Sequence, residues 1–90
     1  MLENLEQLIK KVRERKSSPL ENSYTNKLLN DKNLNVSKVK EEISELIESV
    51  EKNSNKIHEA ADVIYHLMVY LEVNNIKIED VMNELKKRQK

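Results

Sequence analysis

Two short acidic runs carry the residues best suited to chemistry: Glu41-Glu42-Ile43-Ser44-Glu45 and Glu59-Ala60-Ala61-Asp62. In each, two carboxylates stand three residues apart (Glu42 with Glu45, Glu59 with Asp62), which places them one turn along the same side of a helix. Two antiparallel helices bearing such pairs can converge four carboxylates on one point. Hard oxygen donors suit Mg²⁺, which prefers an octahedron, keeps several waters and often bridges carboxylates to substrate phosphates. A cation held there would offset phosphate charge and activate a water. Acid pairs at this spacing are also common on ordinary helices. Spacing alone therefore leaves two readings open, a metal site or carboxylates in structural ion pairs.

The second run lies inside "IHEAADVIYHLMVYL", Ile57 to Leu71, a stretch with the apolar density of a core helix. At about 100° per residue, His58, Glu59, Asp62 and His66 form a strip opposite Ile57, Ala60, Ile64, Leu67 and Leu71. Val63, Val69, Tyr70 and Val73 border that strip, so the helix must be covered on more than one face. Carboxylates under such cover need Lys, Arg or metal as partners. His58 and His66 flank Asp62 at four residues on either side. They read as general bases or, better, as hydrogen-bond partners that orient its carboxylate. Tyr65 and Tyr70 read as core or interface before they read as adenine-stacking residues.

Composition narrows the frame. Ninety residues make one domain, spanning 1–90. A chain this size buries only roughly 60–65% of its unfolded surface. With no Phe or Trp and only three tyrosines, its core is almost wholly aliphatic, and self-association is expected. Sixteen basic and sixteen acidic residues balance overall, which argues against nucleic-acid or membrane-surface binding by bulk charge. Locally the balance fails: Glu41 to Asp62 holds seven acids against Lys52 and Lys56, while Lys10 to Lys16 is basic. Absence of cysteine excludes disulfides, thiolate catalysis and Cys-type zinc sites. Absence of glycine excludes the backbone loops that cradle phosphates in Walker and dinucleotide-binding motifs. Phosphates would have to be handled by side chains and metal. No apolar run is long enough to span a bilayer and no signal core opens the chain, so the cytoplasm is the expected compartment.

Helices must position these acids, and no segment reads as strand. Leu2, Leu5, Leu8, Ile9 and Val12 predict a first helix from about Leu2 to Lys16, broken by "SSPLENS", since Pro19 cannot continue it. Ser23 is placed to cap a short helix, "YTNKLL", and "NDKNLN" reads as a polar connection. Val36, Val39, Ile43, Leu46, Ile47 and Val50 form one apolar stripe on a long helix. "EKNSN" ends it, with Asn53 or Ser54 expected to cap the next helix, Asn55 to Val73. After a turn at "NNIK", Ile78, Val81, Met82 and Leu85 mark a last helix with Glu79 and Asp80 in its first turn. The expected fold is an all-α bundle of four to five helices.

Taken together these segments resemble a known family, phosphoribosyl-ATP pyrophosphohydrolase, within the all-α MazG-like nucleotide pyrophosphohydrolases. "RERKSSPLENSYTNKLL" is similar to its N-terminal signature, "KVKEEISE" to its first acidic motif, "HEAADVIYHLMVYL" to its second and "IEDVMNELKKR" to its closing helix. The resemblance implies Mg²⁺-dependent hydrolysis of phosphoribosyl-ATP between the α and β phosphates, the second step of histidine biosynthesis, by a homodimer that pairs through its helices. By position it implies Glu42, Glu45, Glu59 and Asp62 as Mg²⁺ ligands, with Glu41 a further ligand or water-orienting base. Lys27 and Lys38 fall at the family's basic positions and are expected to meet phosphates. Ser23 and Tyr24 are candidates for ribose or phosphate contact. The length suits a free-standing form, without the companion cyclohydrolase domain the family sometimes carries. Two positions depart from the pattern: Lys40 stands where the family usually has Gly, and Lys77 where Ser often caps the last helix.

Plainer readings compete. Lys10 to Lys16 is by default a solvated helix end, although Arg13 or Arg15 would reach a triphosphate if the fold brings them close. Lys86 to Lys90 reads as a helix terminus with favourable charge. Two other functions stay open: a relative acting on ordinary or damaged (d)NTPs, which would keep the acidic motifs, and a non-catalytic helical interaction protein whose acids only form ion pairs.

Overall fold

The computed structural model describes residues 2–89. Five helices follow in order: α1 (Glu3–Ser17), α2 (Tyr24–Asn30), α3 (Lys32–Lys52), α4 (Lys56–Val73) and α5 (Ile78–Arg88), and no strand occurs among the described residues. Glu3 and Glu6 in the first turn of α1 and Arg15 and Lys16 in its last suit the helix dipole. Beyond Pro19, Asn26 ties the break down. Its Oδ1 accepts from the Leu20 amide at 2.7 Å, and its Nδ2 donates to the Arg15 carbonyl at 2.9 Å, one of the carbonyls left over at the end of α1.

Ser23 caps α2 as expected, its hydroxyl accepting from the Asn26 amide. "NDKNLN" is a different matter. It is not a connection: Asp31 accepts from the Leu34 amide at 3.0 Å, and α3 begins at once at Lys32. One strong capping residue suffices to start the helix there, so α2 and α3 meet almost without a linker.

In a chain without glycine, asparagine supplies the left-handed backbone. Asn53, Asn55 and Asn75 have φ of 53°, 57° and 57°. Asn53 closes α3 by a paired bond pattern, Asn53 to Val50 and Ser54 to Ser49, and Asn75 closes α4 the same way, Asn75 to Glu72 and Ile76 to Leu71. Neither Asn53 nor Ser54 caps α4, correcting the sequence expectation. Asn55 holds that position, without a side-chain hydrogen bond, because Asn53 is engaged in ending the previous helix.

Val12, Leu28 and Val69 form the buried centre, with Leu8, Leu29, Leu34, Tyr65 and Val73 packed around it. This core lies where α1 and α2 cross the far ends of the α3–α4 hairpin. Over the rest of its length α3 meets only α4, and it does so with an unexpected face. Asn35, Glu42 and Ser49 are buried, Lys38 and Glu45 half-buried, and these share one helical strip. Much of the apolar stripe faces outward instead: Ile43, Ile47 and Val50 are 43%, 56% and 59% exposed. On α4, Ile57, Ile64 and Leu67 are exposed too. Both helices of the hairpin thus carry apolar residues that the chain itself leaves uncovered.

α5 buries no residue of its own. Charge holds it: Arg13 of α1 binds Glu79 through both terminal nitrogens, at 2.9 and 2.7 Å, and donates from Nε to Glu72 at 3.2 Å. Lys16 adds bonds to the Glu72 carbonyl and Asn75, closing the end of α4.

Candidate functional site

The α3–α4 hairpin brings the two acidic runs face to face. Their potential ligand atoms fall into two triplets, Glu41 with Glu42 and Glu45, and His58 with Glu59 and Asp62, each set within 4.8 Å. Glu45 joins them, lying in hydrogen-bonding reach of both Glu42 and Glu59. Hydrogen bonding to Glu42, burial and the charges of Glu42 and Glu59 push its carboxyl up to about 7. Oε2 of Glu42 and Oε2 of Glu59 are shut away from solvent, with no donor for either among the described residues. A cavity of about 200 Å³ opens beside Glu45 and Glu59, bordered by Ser49, Ser54 and Asn55. Crowded carboxylates that share protons and leave buried oxygens unsatisfied are short of a cation, and the donor set fits a hard one such as Mg²⁺.

One of the two flanking histidines differs from expectation. His58 Nε2 lies 3.3 Å from Oδ2 of Asp62. His66 does not touch that carboxylate. Its ring is buried, with Nδ1 2.8 Å from the main-chain carbonyl of Asp62 and Nε2 3.0 Å from the Tyr24 hydroxyl. One turn of helix brings a side chain over the carbonyl four residues back, and that acceptor captures the ring before the Asp62 side chain can. Tyr24 also stacks on Tyr65, ring centroids 6.2 Å apart, and Tyr65 is held in turn by Thr25. Partial burial pushes the Tyr24 hydroxyl up, against the pull of Lys38. No local pattern announces this network, because Tyr24 and His66 are 42 residues apart.

Lys38 stands at the edge of the cluster, 3.2 Å from Glu41 and 3.3 Å from Glu42. Burial alone would pull its ammonium down, but those bonds outweigh it and hold Lys38 above its usual range. Lys27 is exposed on α2, with no carboxylate among the described residues in ion-pair reach. Ser23 spends its oxygen on the cap of α2. Arg13 is not brought to the acids. Glu72 and Glu79 claim it, and Glu72 lies ten residues along α4 from Asp62, roughly 15 Å away. Asn35, fully buried on the same strip as Glu42, has no partner for either side-chain polar atom among the described residues.

Relatives bear on what such a cluster serves. The chain is 44% identical over 91 residues to a protein of Clostridium acetobutylicum named phosphoribosyl-ATP pyrophosphatase, covering 96% of this chain and 81% of that one. A Bacillus cereus protein of the same name is 44% identical over 86 residues, covering 90% and 78%. The histidine biosynthesis bifunctional protein HisIE of Pyrococcus furiosus is 42% identical over 91 residues, a match that takes in 100% of this chain but only 42% of that relative. No solved structure matches the chain. The phosphoribosyl-ATP pyrophosphohydrolase family profile matches residues 5–89, and the chain belongs to that family.

Proposed function

We infer that this chain, acting as one domain, hydrolyses phosphoribosyl-ATP to phosphoribosyl-AMP and pyrophosphate in histidine biosynthesis, with Mg²⁺ as cofactor. Beyond the family, one observation carries the reading: the buried oxygens of Glu42 and Glu59, without donors among the described residues, crowd Glu45 and push its carboxyl up to about 7. Glu42, Glu45, Glu59 and Asp62 would hold the ion, which when bound supplies phosphate charge neutralisation and a more acidic water. Lys38 is positioned to exchange its carboxylate partners for a phosphate. Glu41, freed by that exchange, is the group best placed to take a proton from water. Lys27, exposed on α2, is available to a second phosphate. His58 keeps Asp62 turned towards the cluster.

In this reading a second copy of the chain covers the exposed apolar residues of α3 and α4, as in a homodimer. No helix among the described residues is long and apolar enough to cross a membrane, which agrees with a cytoplasmic enzyme. The test is pyrophosphate release from phosphoribosyl-ATP with and without Mg²⁺, beside a panel of dNTPs, with sedimentation to read the oligomer. Turnover of phosphoribosyl-ATP that needs Mg²⁺ supports the reading. Rapid turnover of dNTPs with none of phosphoribosyl-ATP would replace it.

A further inference from the structure

We propose that His66 is a positioning residue that fixes the Tyr24 hydroxyl as a hydrogen-bond acceptor, and that this acceptor reads a ribose hydroxyl of the substrate. The inference rests on the hydrolase reading above and assigns one side chain within it. The geometry begins at a carbonyl. The main-chain oxygen of Asp62 can only accept, so the His66 nitrogen 2.8 Å away, Nδ1, carries the ring proton. In the neutral ring Nε2 is then left with a lone pair. Tyr24 Oη lies 3.0 Å from that lone pair and must donate to it.

A phenol has one proton. Once it is committed to Nε2, what Tyr24 offers to anything arriving from solvent is the lone-pair side of its oxygen. Phosphate oxygens are acceptors and gain nothing there. Lys38, on the same side of the cluster, serves them instead. A hydroxyl donor does gain, and phosphoribosyl-ATP carries such donors on its two ribosyl units. The ring has little freedom to choose otherwise. Tyr24 stacks on Tyr65 at 19° between planes, His66 meets both tyrosines edge-on, and Thr25 holds the Tyr65 hydroxyl at 2.5 Å. Tyr24 is nonetheless 45% exposed, so its side chain is not closed off from solvent. Asp62 therefore serves twice, its side chain in the acid cluster and its carbonyl setting the polarity of a recognition group one turn further on.

The test compares KM and kcat of wild type, Tyr24→Phe and His66→Gln on phosphoribosyl-ATP and on its singly deoxygenated ribose analogues. Tyr24→Phe is expected to raise KM about fivefold with kcat nearly unchanged, the loss of one neutral hydrogen bond. That penalty should vanish with the one analogue that lacks the recognised hydroxyl, for which wild type shows the same loss. His66→Gln keeps an acceptor in reach of Tyr24 and should stay within about twofold of wild type. A Tyr24→Phe penalty of equal size on every analogue, or one falling on kcat, overturns the assignment while leaving the hydrolase reading intact. Nitrogen NMR of His66 tests the tautomer without any substrate: a proton on Nδ1 supports the proposal, and one on Nε2 refutes it. Failure of wild type to hydrolyse phosphoribosyl-ATP at all is a separate result, which removes the parent reading and the ribose assignment with it.

Discussion

The hairpin end of the molecule and its α1–α4–α5 corner are both rich in glutamate, yet the carboxylates in them behave oppositely. At the corner, Arg13 reaches Glu72 and Glu79 together, and its hydrogen bond holds the Glu79 carboxyl down at about 2. Between α3 and α4, Glu42, Glu45 and Glu59 face one another, and Glu45 is pushed up to about 7. Residue type is the same in both places, and geometry decides the outcome. A cation of the protein's own satisfies the first group, which then works as a fastener for a helix that buries nothing. The second group has Lys38 at its edge, and two of its buried oxygens have no donor among the described residues. Structural acids are stabilised where they stand. Acids kept in mutual repulsion are stabilised by something that arrives.

Removing one member from each group should break the chain in different ways. The largest effect is expected from Asp62→Ala, which should lower pyrophosphate release about a thousandfold, since a catalytic metal site contributes several kcal/mol to the barrier. Circular dichroism melts should show little loss of stability, because the change also relieves like-charge crowding. Full activity in this variant would sink the assignment of Asp62 to the metal set. Arg13→Ala should do the reverse: kcat and KM near wild type, but a loss of about 1–3 kcal/mol in urea unfolding, as Glu72 is left largely buried without its partner. A rise in KM with no loss of stability would mean that Arg13 leaves the corner to meet substrate.

Much of this contrast is written locally in the chain. Helical apolar spacing marks α1, α3, α4 and α5, Ser23 announces α2, and the i, i+3 acids mark the cluster. What periodicity conveys is which residues share a face. It does not convey what covers that face. The stripe through Ile43, Ile47 and Val50 is plain in the sequence, yet within the chain it is exposed, because α3 turns its polar strip to α4 instead. Distance in sequence hides the rest. His66 reads as a partner for the neighbouring Asp62 carboxylate, but its ring lies between the Asp62 carbonyl and Tyr24, which α2 brings in from 42 residues away. Arg13 sits in a basic run that suits phosphates, and only folding places Glu72 and Glu79 beside it.

Acidity should separate the two regions without any mutation. Glu45 has a raised pKa, so its protonated form stabilises the fold at low pH and that contribution is lost as pH rises through about 7. Glu79 has a depressed one, so its contribution is present above the ordinary carboxylate range and is lost as pH falls towards about 2. In chelator, the melting temperature should therefore crest in mildly acidic buffer and decline on both sides. Adding Mg²⁺ should lift only the alkaline limb, because the ion takes the place of the proton among the carboxylates and has no business at the corner. An equal lift at every pH would mean that the ion binds elsewhere.

The smallest effect should come from Glu79→Gln. Its pair with Arg13 is exposed on both sides, and water weakens such pairs strongly. That variant should flatten the acid limb of the melting curve, leave the alkaline limb and its response to Mg²⁺ untouched, and lose its difference from wild type in high salt, where exposed charges are screened. If the acid limb survives the substitution, the corner is fastened by Glu72 rather than Glu79. The bond from Arg13 Nε, which is better shielded from solvent, would then be the one that holds α1 to α4, with α5 merely resting on it.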